Sequence, residues 1–549
     1  MKNNLELRKP VSKYFTVLGL ILIFLSVACT SEVVKPPNIL VIMADDLGFS
    51  DLGCYGGEIE TPNLDKLATG GLRFTQFNNT GRCWPSRAAL LTGFYPQQVG
   101  RDNAPGIKGG AGRQRPDWAS LLPVHLKGGG YRSYHSGKWH IDGMPIASGF
   151  DHSYFLGDQG RFFSPKSHYE NDQKLPPVER GSGYYSTIAI ADKAIEHLTA
   201  HDTKHADKPF FQYVAFTAPH FPLHALPEDI KGVGDRYARG WNELRKERWK
   251  RIQDLGIVKG QLSALEPEVG PPYDFSESLE ILGEGEVKLP VAWESLTSEQ
   301  KDFQIEKMTI HAAMVERMDK EIGRILDQLE VMDALDNTLV IFLSDNGASA
   351  ELMVRDDGHD PEAAPGSAAT YLSLGPGWSN MCNTPFRRHK TWTHEGGTCT
   401  PFIAHWPKGI SSPGALRQAH GHITDILPTI LDLAGVEINN AGQRPFPGES
   451  LRSVFAQDSS WQHPVWYYHE GNRALRVGNW KLVAARDEPW ELFNLDKDRT
   501  ETKNLSMANP QKVLEMEKVW LKMLDDIRED APYKSTEEKK FSVTTDNHE

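Results

Sequence analysis

Cys83-Trp84-Pro85-Ser86-Arg87, followed by Ala88-Ala89-Leu90-Leu91-Thr92-Gly93, sets a thiol and a guanidinium four positions apart. A proline is tolerated in the first turn of a helix, and the alanines and leucines after it favour one. Cys83 then falls at or just before a helix N-terminus, where unpaired N–H groups and the helix dipole favour an anion. Arg87 projects from the same face. A reactive side chain, a fixed cation and a helix N-terminus thus converge on one anion-sized spot. The plain alternative is a buried Cys that only fills space.

Other residues fit chemistry at such a spot. Asp45, Asp46, Asp345 and Asn346 supply three carboxylates and one amide oxygen, with no His or Cys at ligand spacing. Hard oxygen donors suit Ca²⁺ or Mg²⁺ rather than zinc; without a metal, Asp-Asp-Leu-Gly is a capped turn. Lys138, in Gly137-Lys138-Trp139-His140, is a point charge for an anion, and His140 exchanges protons near neutral pH. His220 is framed by Pro219 and by Phe221-Pro222, which aim one imidazole. Lys390 lies in Phe386-Arg387-Arg388-His389-Lys390, with Arg387 and Arg388 as alternative cations.

These residues need elements to position them. The apolar runs 38–44, 210–216 and 338–343 read as strands buried on both faces, and 131–136 as a weaker one. Each ends just before a candidate: Asp45-Asp46, Lys138 with His140, His220, and Asp345-Asn346. Helical stripes separate them, with Ile188, Ala191, Ile195 and Leu198 on one and Met308, Ala312, Val315, Met318, Ile322 and Leu326 on another. Alternating strands and helices predict an α/β fold, a large mainly parallel sheet with helices on both faces and its site at the carboxyl ends of the strands. Residues 225–300 break the alternation as an insertion near the site. The core continues through 400–407 and a helix at 423–433. Beyond about 455, three strands (465–469, 474–483, 490–495) and an amphipathic helix (510–527) predict a smaller C-terminal α+β unit with an antiparallel sheet.

Cys83-Trp84-Pro85-Ser86-Arg87 resembles the sulfatase signature Cys-x-Pro-Ser-Arg, in which the Cys is oxidised to formylglycine. Gly-Lys-Trp-His at 137–140 and Pro-His-x-Pro at 219–222 resemble further family elements. At 390–397 the family commonly shows Lys-Gly-Thr-x-x-Glu-Gly-Gly; here the Lys-to-Glu spacing is kept, but Thr391-Trp392 replaces Gly-Thr. The resemblance, over about residues 38–500, implies a type I sulfatase with an alkaline-phosphatase-like fold. It implies that Asp45, Asp46, Asp345 and Asn346 bind Ca²⁺ together with modified residue 83. It further implies that Asp345 and the metal help deprotonate the attacking hydroxyl, that Arg87, Lys138 and Lys390 hold the sulfate, that His220 with Lys390 protonates the leaving alcohol, and that His140 takes the proton as sulfate is expelled. A sulfated polysaccharide or oligosaccharide is the implied substrate. The implied partner is a formylglycine-generating or anaerobic sulfatase-maturating enzyme.

The 549 residues are 39% hydrophobic and 24% charged, an ordinary globular composition, with a catalytic unit expected over 36–455 and the smaller unit over 456–532. The formal net charge of −13 argues against nucleic acid and requires local cations to reverse the field for an anionic substrate. Lys2, Arg8, Lys9 and Lys13 precede an apolar run, 14–28, which reads as a signal peptide over 1–28. Leu25-Ser26-Val27-Ala28-Cys29 resembles a lipobox with Ser26 at the usual Leu position. Export is expected, to the periplasm or the outer membrane, with Cys29 lipidated or, alternatively, simple signal cleavage. Five Cys are few for an exported chain; a Cys382–Cys399 bridge is conceivable from the sequence, and the tail 533–549 reads as disordered. Two rival functions stand: a phosphonate or phosphate diester hydrolase of the same superfamily, and a non-catalytic glycan-binding lipoprotein with an unmodified Cys83.

Overall fold

The run Asn-Ile-Leu-Val-Ile-Met-Ala forms β1 (Asn38–Ala44), and its alternating side chains divide two hydrophobic cores. Leu40, Ile42 and Ala44 join one core, while Ile39, Val41 and Met43 join the other. The first core is closed by the helices Ser186–His205 and Ser298–Val331, the second by Ile426–Leu433 and residues of Cys83–Thr92. The sheet is therefore covered on both faces, which is why β1 has no polar alternation. The computed structural model describes residues 35–437, 444–459 and 463–535. The signal peptide, the Cys29 lipobox and 536–549 of the expected tail lie outside the described residues.

The remaining strands are β2 (Leu72–Asn78), β3 (Arg132–Lys138), β4 (His152–Leu156), β5 (His168–Glu170), β6 (Gln173–Lys174), β7 (Phe210–Ala215), β8 (Thr338–Ser344), β9 (Phe402–His405) and β10 (Leu416–His422). They form a 10-stranded sheet in the order β10-β2-β9-β8-β1-β7-β3-β4-β5-β6. Its centre, β8-β1-β7-β3-β4, is parallel; β9 runs antiparallel to both β2 and β8. Strand β3 runs two residues further than predicted, so Lys138 ends the strand instead of following it.

The helix Ser298–Val331 buries all six stripe residues from Met308 to Leu326 and starts with a capping box, Thr297 with Gln300. On Ser186–His205 the buried apolar residues are Ile190, Ala191, Ala194 and Leu198, so the core-facing stripe is turned from the predicted one and Ile188 and Ile195 are only partly buried. The insertion contains a helix, Gly240–Asp254, whose Arg248 reaches inward to Asp51 and Glu58 at 2.7 Å.

The C-terminal sheet has four strands, not three: β11 (Val465–His469), β12 (Asn472–Val477), β13 (Trp480–Ala484) and β14 (Glu491–Asn494). The predicted run 474–483 is a hairpin broken at Gly478-Asn479, where Gly478 takes φ 55°. One face packs Trp466, Leu475 and Leu482 against Met516, Trp520 and Leu524 of the helix Pro510–Asp530. Residues 533–535 are held against the 100–114 loop, with Lys108 N donating to Tyr533 O and Ser535 N to Gly106 O. Cys382 and Cys399 are both free, buried thiols.

Candidate active site

The neighbouring strands β8, β1, β7 and β3 end at one edge of the sheet, where α/β folds place their ligands. Beyond β1 come Asp45 and Asp46, beyond β8 Asp345 and Asn346, beyond β3 His140, and in the turn after β7 His220. Close backbone contact locks the second of these loops to the Lys390 segment. A Cβ on Gly347 would lie 1.9 Å from the Gly396 carbonyl oxygen, so only glycine fits there.

The helix Cys83–Thr92 begins at the candidate nucleophile, with Arg82 as its extended N-cap residue. The thiol is buried, and burial raises its pKa against the pull of Lys138 and Lys390. One turn on, Arg87 meets Asp345 Oδ2 through Nε at 2.9 Å and Nη2 at 2.8 Å. Lys138 Nζ donates to Asp45 Oδ2 at 2.5 Å. Lys390 Nζ donates to Asp46 Oδ2 at 2.8 Å and lies 3.2 Å from Glu351 Oε2. All of these side chains are nearly inaccessible to solvent. Arg387 and Arg388 turn instead to Glu266, at 2.8 and 3.4 Å, so Lys390 alone of the three cations contacts the aspartates.

Three cations thus face three aspartates, with Glu351 behind. Burial opposes ionisation of Asp46, but Lys390 and His220 hold its carboxyl well below the usual range. Burial would discharge Lys390; Asp46 and Glu351 outweigh it and keep the ammonium charged. Burial and the charge of Asp45 push Asp345 up to about 6 in spite of Arg87.

The oxygens fit a hard cation. Asp45 Oδ1 and Asn346 Oδ1 are buried acceptors with no hydrogen-bond donor among the described residues. Buried acceptors are rarely left so. Asn346 Nδ2 donates to Asp46 Oδ1 at 2.7 Å, and that bond orients its amide. A divalent ion on these oxygens would satisfy both and relieve the repulsion at Asp345. It would also turn a balanced cluster net positive, as an anionic substrate requires. A second buried group at ligand spacing is Asp51, His311 and Cys382. There Asp51 Oδ1 is taken by Arg248 at 2.7 Å and Oδ2 by Gly48 N at 2.9 Å, so the group braces the loop that carries Asp45 and Asp46.

His220 Nδ1 donates to the Phe221 carbonyl, which can only accept, leaving Nε2 3.7 Å from Asp46 Oδ2. Burial lowers its pKa to about 3, against the pull of Asp46. His140 takes φ 56°, and its buried Nδ1 has no partner among the described residues. Burial, with Lys138 and Arg87, pushes its pKa well down.

Three members of this site escape a reading by motif. Glu351 holds Lys390 and, at 3.1 Å, Arg82. Arg82 itself stacks over Trp84 at 5.3 Å. Tyr213, in the middle of apolar β7, accepts from Arg87 Nη1 through its hydroxyl oxygen at 3.4 Å. Only Arg82, beside Cys83, carried a positional hint.

A mainly parallel sheet with acidic, basic and imidazole groups at its strand ends fits the alkaline-phosphatase-like fold that the resemblance implies. The sulfatase family model matches residues 37–436, and that of the N-sulphoglucosamine sulphohydrolase C-terminal region matches 387–530. An arylsulfatase of Klebsiella aerogenes is 30% identical, over 76% of this chain and 92% of the relative. An N-acetylglucosamine-6-O-sulfatase of Bacteroides thetaiotaomicron is 27% identical, over 86% and 83%. The solved structure of Ps i-CgsB in complex with k-i-k-neocarrahexaose is similar at TM-score 0.63 and 24% identity, covering 90% of this chain and 94% of that one. The chain belongs to the sulfatase family and is a sulfuric ester hydrolase.

Proposed function

We propose that the protein removes sulfate from a sulfated carbohydrate, using formylglycine at position 83 and a bound Ca²⁺. The observation that carries the reading is the pair of donorless oxygens, Asp45 Oδ1 and Asn346 Oδ1, in a cluster that also holds Arg87, Lys138 and Lys390. Support for a carbohydrate comes from the names of the N-acetylglucosamine-6-O-sulfatase and of the neocarrahexaose complex.

Asp45, Asp46, Asp345, Asn346 and residue 83 would hold Ca²⁺, with Mg²⁺ as the alternative hard ion. Bound there, the ion supplies positive charge to the sulfate oxygens and to the attacking hydroxyl. Residue 83, as the hydrated aldehyde, supplies that hydroxyl, and its second hydroxyl later gives up a proton as sulfate leaves. Lys138 and Lys390 are held by Asp45 and Asp46, so they meet sulfate without rearranging. Arg87 fixes Asp345, which takes the proton of the attacking hydroxyl, and adds charge behind it. His220 Nε2 carries the proton for the leaving sugar oxygen; its Nδ1–H bond to Phe221 fixes the ring. A docked sulfate adds negative charge that favours the imidazolium. His140 takes the proton released in the elimination.

The reading includes a formylglycine-generating or anaerobic sulfatase-maturating enzyme as partner, and export to the periplasm or outer membrane through residues 1–29. The test is to co-produce the protein with such an enzyme and assay nitrophenyl sulfate, sulfated oligosaccharides and matched phosphate diesters. Release of inorganic sulfate, with nitrophenol or the desulfated oligosaccharide as co-product, is expected. A strong preference for the diesters would overturn it.

A further inference from the structure

A cavity of about 390 Å³ opens beside the sulfate site, with Lys138 and His140 on its wall and Asp158, Gln159, Arg355 and Asp356 around it. Its size falls within the range of small-molecule sites. Two catalytic candidates line it, so the leaving alcohol has a path into it.

Arg355 is the distinctive group there. Its Nε donates to Tyr371 Oη at 2.9 Å, and its guanidinium carbon lies 5.6 Å from the centroid of the Phe221 ring. Lys390 Nζ sits 5.4 Å from that same centroid, and the His220 ring packs on it at 4.0 Å. One phenyl ring therefore ties Arg355 to a sulfate-binding cation and to the proposed acid. The two terminal nitrogens of Arg355 have no hydrogen-bond acceptor among the described residues, and its side chain is 41% exposed. Nearby carboxylates are already engaged. Asp158 and Asp357 bond to Arg161 at 2.9 and 3.0 Å, and Asp356 stands between Arg161 at 3.8 Å and Arg355 Nε at 3.7 Å.

We propose that this cavity takes the sugar bearing the scissile sulfate, and that Arg355 binds a second anionic group on that sugar or its neighbour. The inference rests on the sulfatase reading of the adjoining site. The second group is a carboxylate or another sulfate, both planar or forked acceptors that match a pre-positioned guanidinium. Sugar hydroxyls do not need such a cation; the Gln159 amide on the cavity wall can both donate to and accept from them. The chain's net charge of −13 also repels a polyanion in general, so its recognition requires a local fork of this kind. The substrates are then glycans with at least two anionic groups close together.

The experiment measures inhibition of nitrophenyl sulfate hydrolysis at about 0.15 M salt, where long-range charge effects are screened. Three competitors are used: N-acetylglucosamine 6-sulfate, its 3,6-disulfate, and the same 6-sulfate linked to glucuronic acid. Wild-type protein should bind at least one doubly anionic competitor about tenfold more tightly than the monosulfate, and which one it prefers distinguishes sulfate from carboxylate. Within Arg355→Ala and Arg355→Gln this ratio should fall to about one; Arg355→Lys should keep part of it, and Asp356→Asn should widen it. A wild-type ratio near one for both doubly anionic competitors, or a ratio that survives Arg355→Ala, overturns the subsite and leaves the sulfatase reading standing. Failure of protein with a verified aldehyde at 83 to release sulfate from nitrophenyl sulfate and from all three sugar sulfates overturns both.

Discussion

Arg87 grips Asp345 through two nitrogens at 2.9 and 2.8 Å, with neither side chain accessible to solvent. The contact ties the helix that starts at Cys83, one turn along, to the loop after β8 that carries two of the four metal-ligand candidates. Arg87→Ala leaves Asp345 buried beside Asp45 and Asp46. Removing one partner of a buried pair costs about 3–5 kcal/mol. Urea unfolding of chelator-treated protein should show a loss of that order, and a smaller one in saturating Ca²⁺, which supplies the missing charge. An identical loss in both conditions would separate Asp345 from the metal.

Chelation of the wild-type protein should abolish sulfatase activity and lower the melting temperature, and Ca²⁺ should restore both, because a ligand bound only by the folded state stabilises it by mass action. Metal analysis that finds zinc in a one-to-one ratio, with no calcium or magnesium, would refute the oxygen-donor assignment.

Glu351 separates an active cation from its neighbours. Glu351→Ala removes one of two carboxylates that hold Lys390 and should lower kcat about 10–100-fold, as loss of a preorganising contact does. Arg387→Ala, which breaks contacts to Glu266 and Glu491, should reduce stability while kcat stays within about twofold of wild type. A large kcat loss for Arg387→Ala with Glu351→Ala near normal would move the sulfate cation to Arg387.

In the proposed function His220 acts on the leaving group, so its value depends on that group's basicity. A sugar alkoxide needs the proton; a nitrophenolate leaves almost unaided. His220→Ala should cost about 10²–10⁴-fold on a sugar sulfate and much less on nitrophenyl sulfate, while His140→Ala should slow both alike when elimination limits the rate. Equal losses on the two substrates for His220→Ala, with chemistry rate-limiting, would pass the acid role to Lys390.

The strand ends were legible because three apolar runs and one weaker, more polar run each stop close to residues that carry charge, an imidazole or an amide, and the helix at Cys83 was legible from its proline and alanines. Other elements left weaker traces. Strand β10, Leu-Arg-Gln-Ala-His-Gly-His, pairs with β2, where buried His420 also meets Asn78 Oδ1, and has no apolar run to announce it. The hairpin at Gly478-Asn479 had a turn signal that the apolar residues on either side concealed. Glu351 lies in a loop without periodicity, and its role appears only when folding brings it to Lys390. Tyr213 reads as core because it is core; only its hydroxyl reaches the site.

The central claim is that residue 83 is the nucleophile after oxidation to an aldehyde. Peptide mass spectrometry at residue 83, on preparations with graded maturation and parallel assays of sulfate release, tests it most directly. The account predicts aldehyde at position 83, turnover proportional to its fraction, and no turnover by Cys83→Ala. Full turnover by protein whose residue 83 is entirely thiol, or by Cys83→Ala, would contradict it.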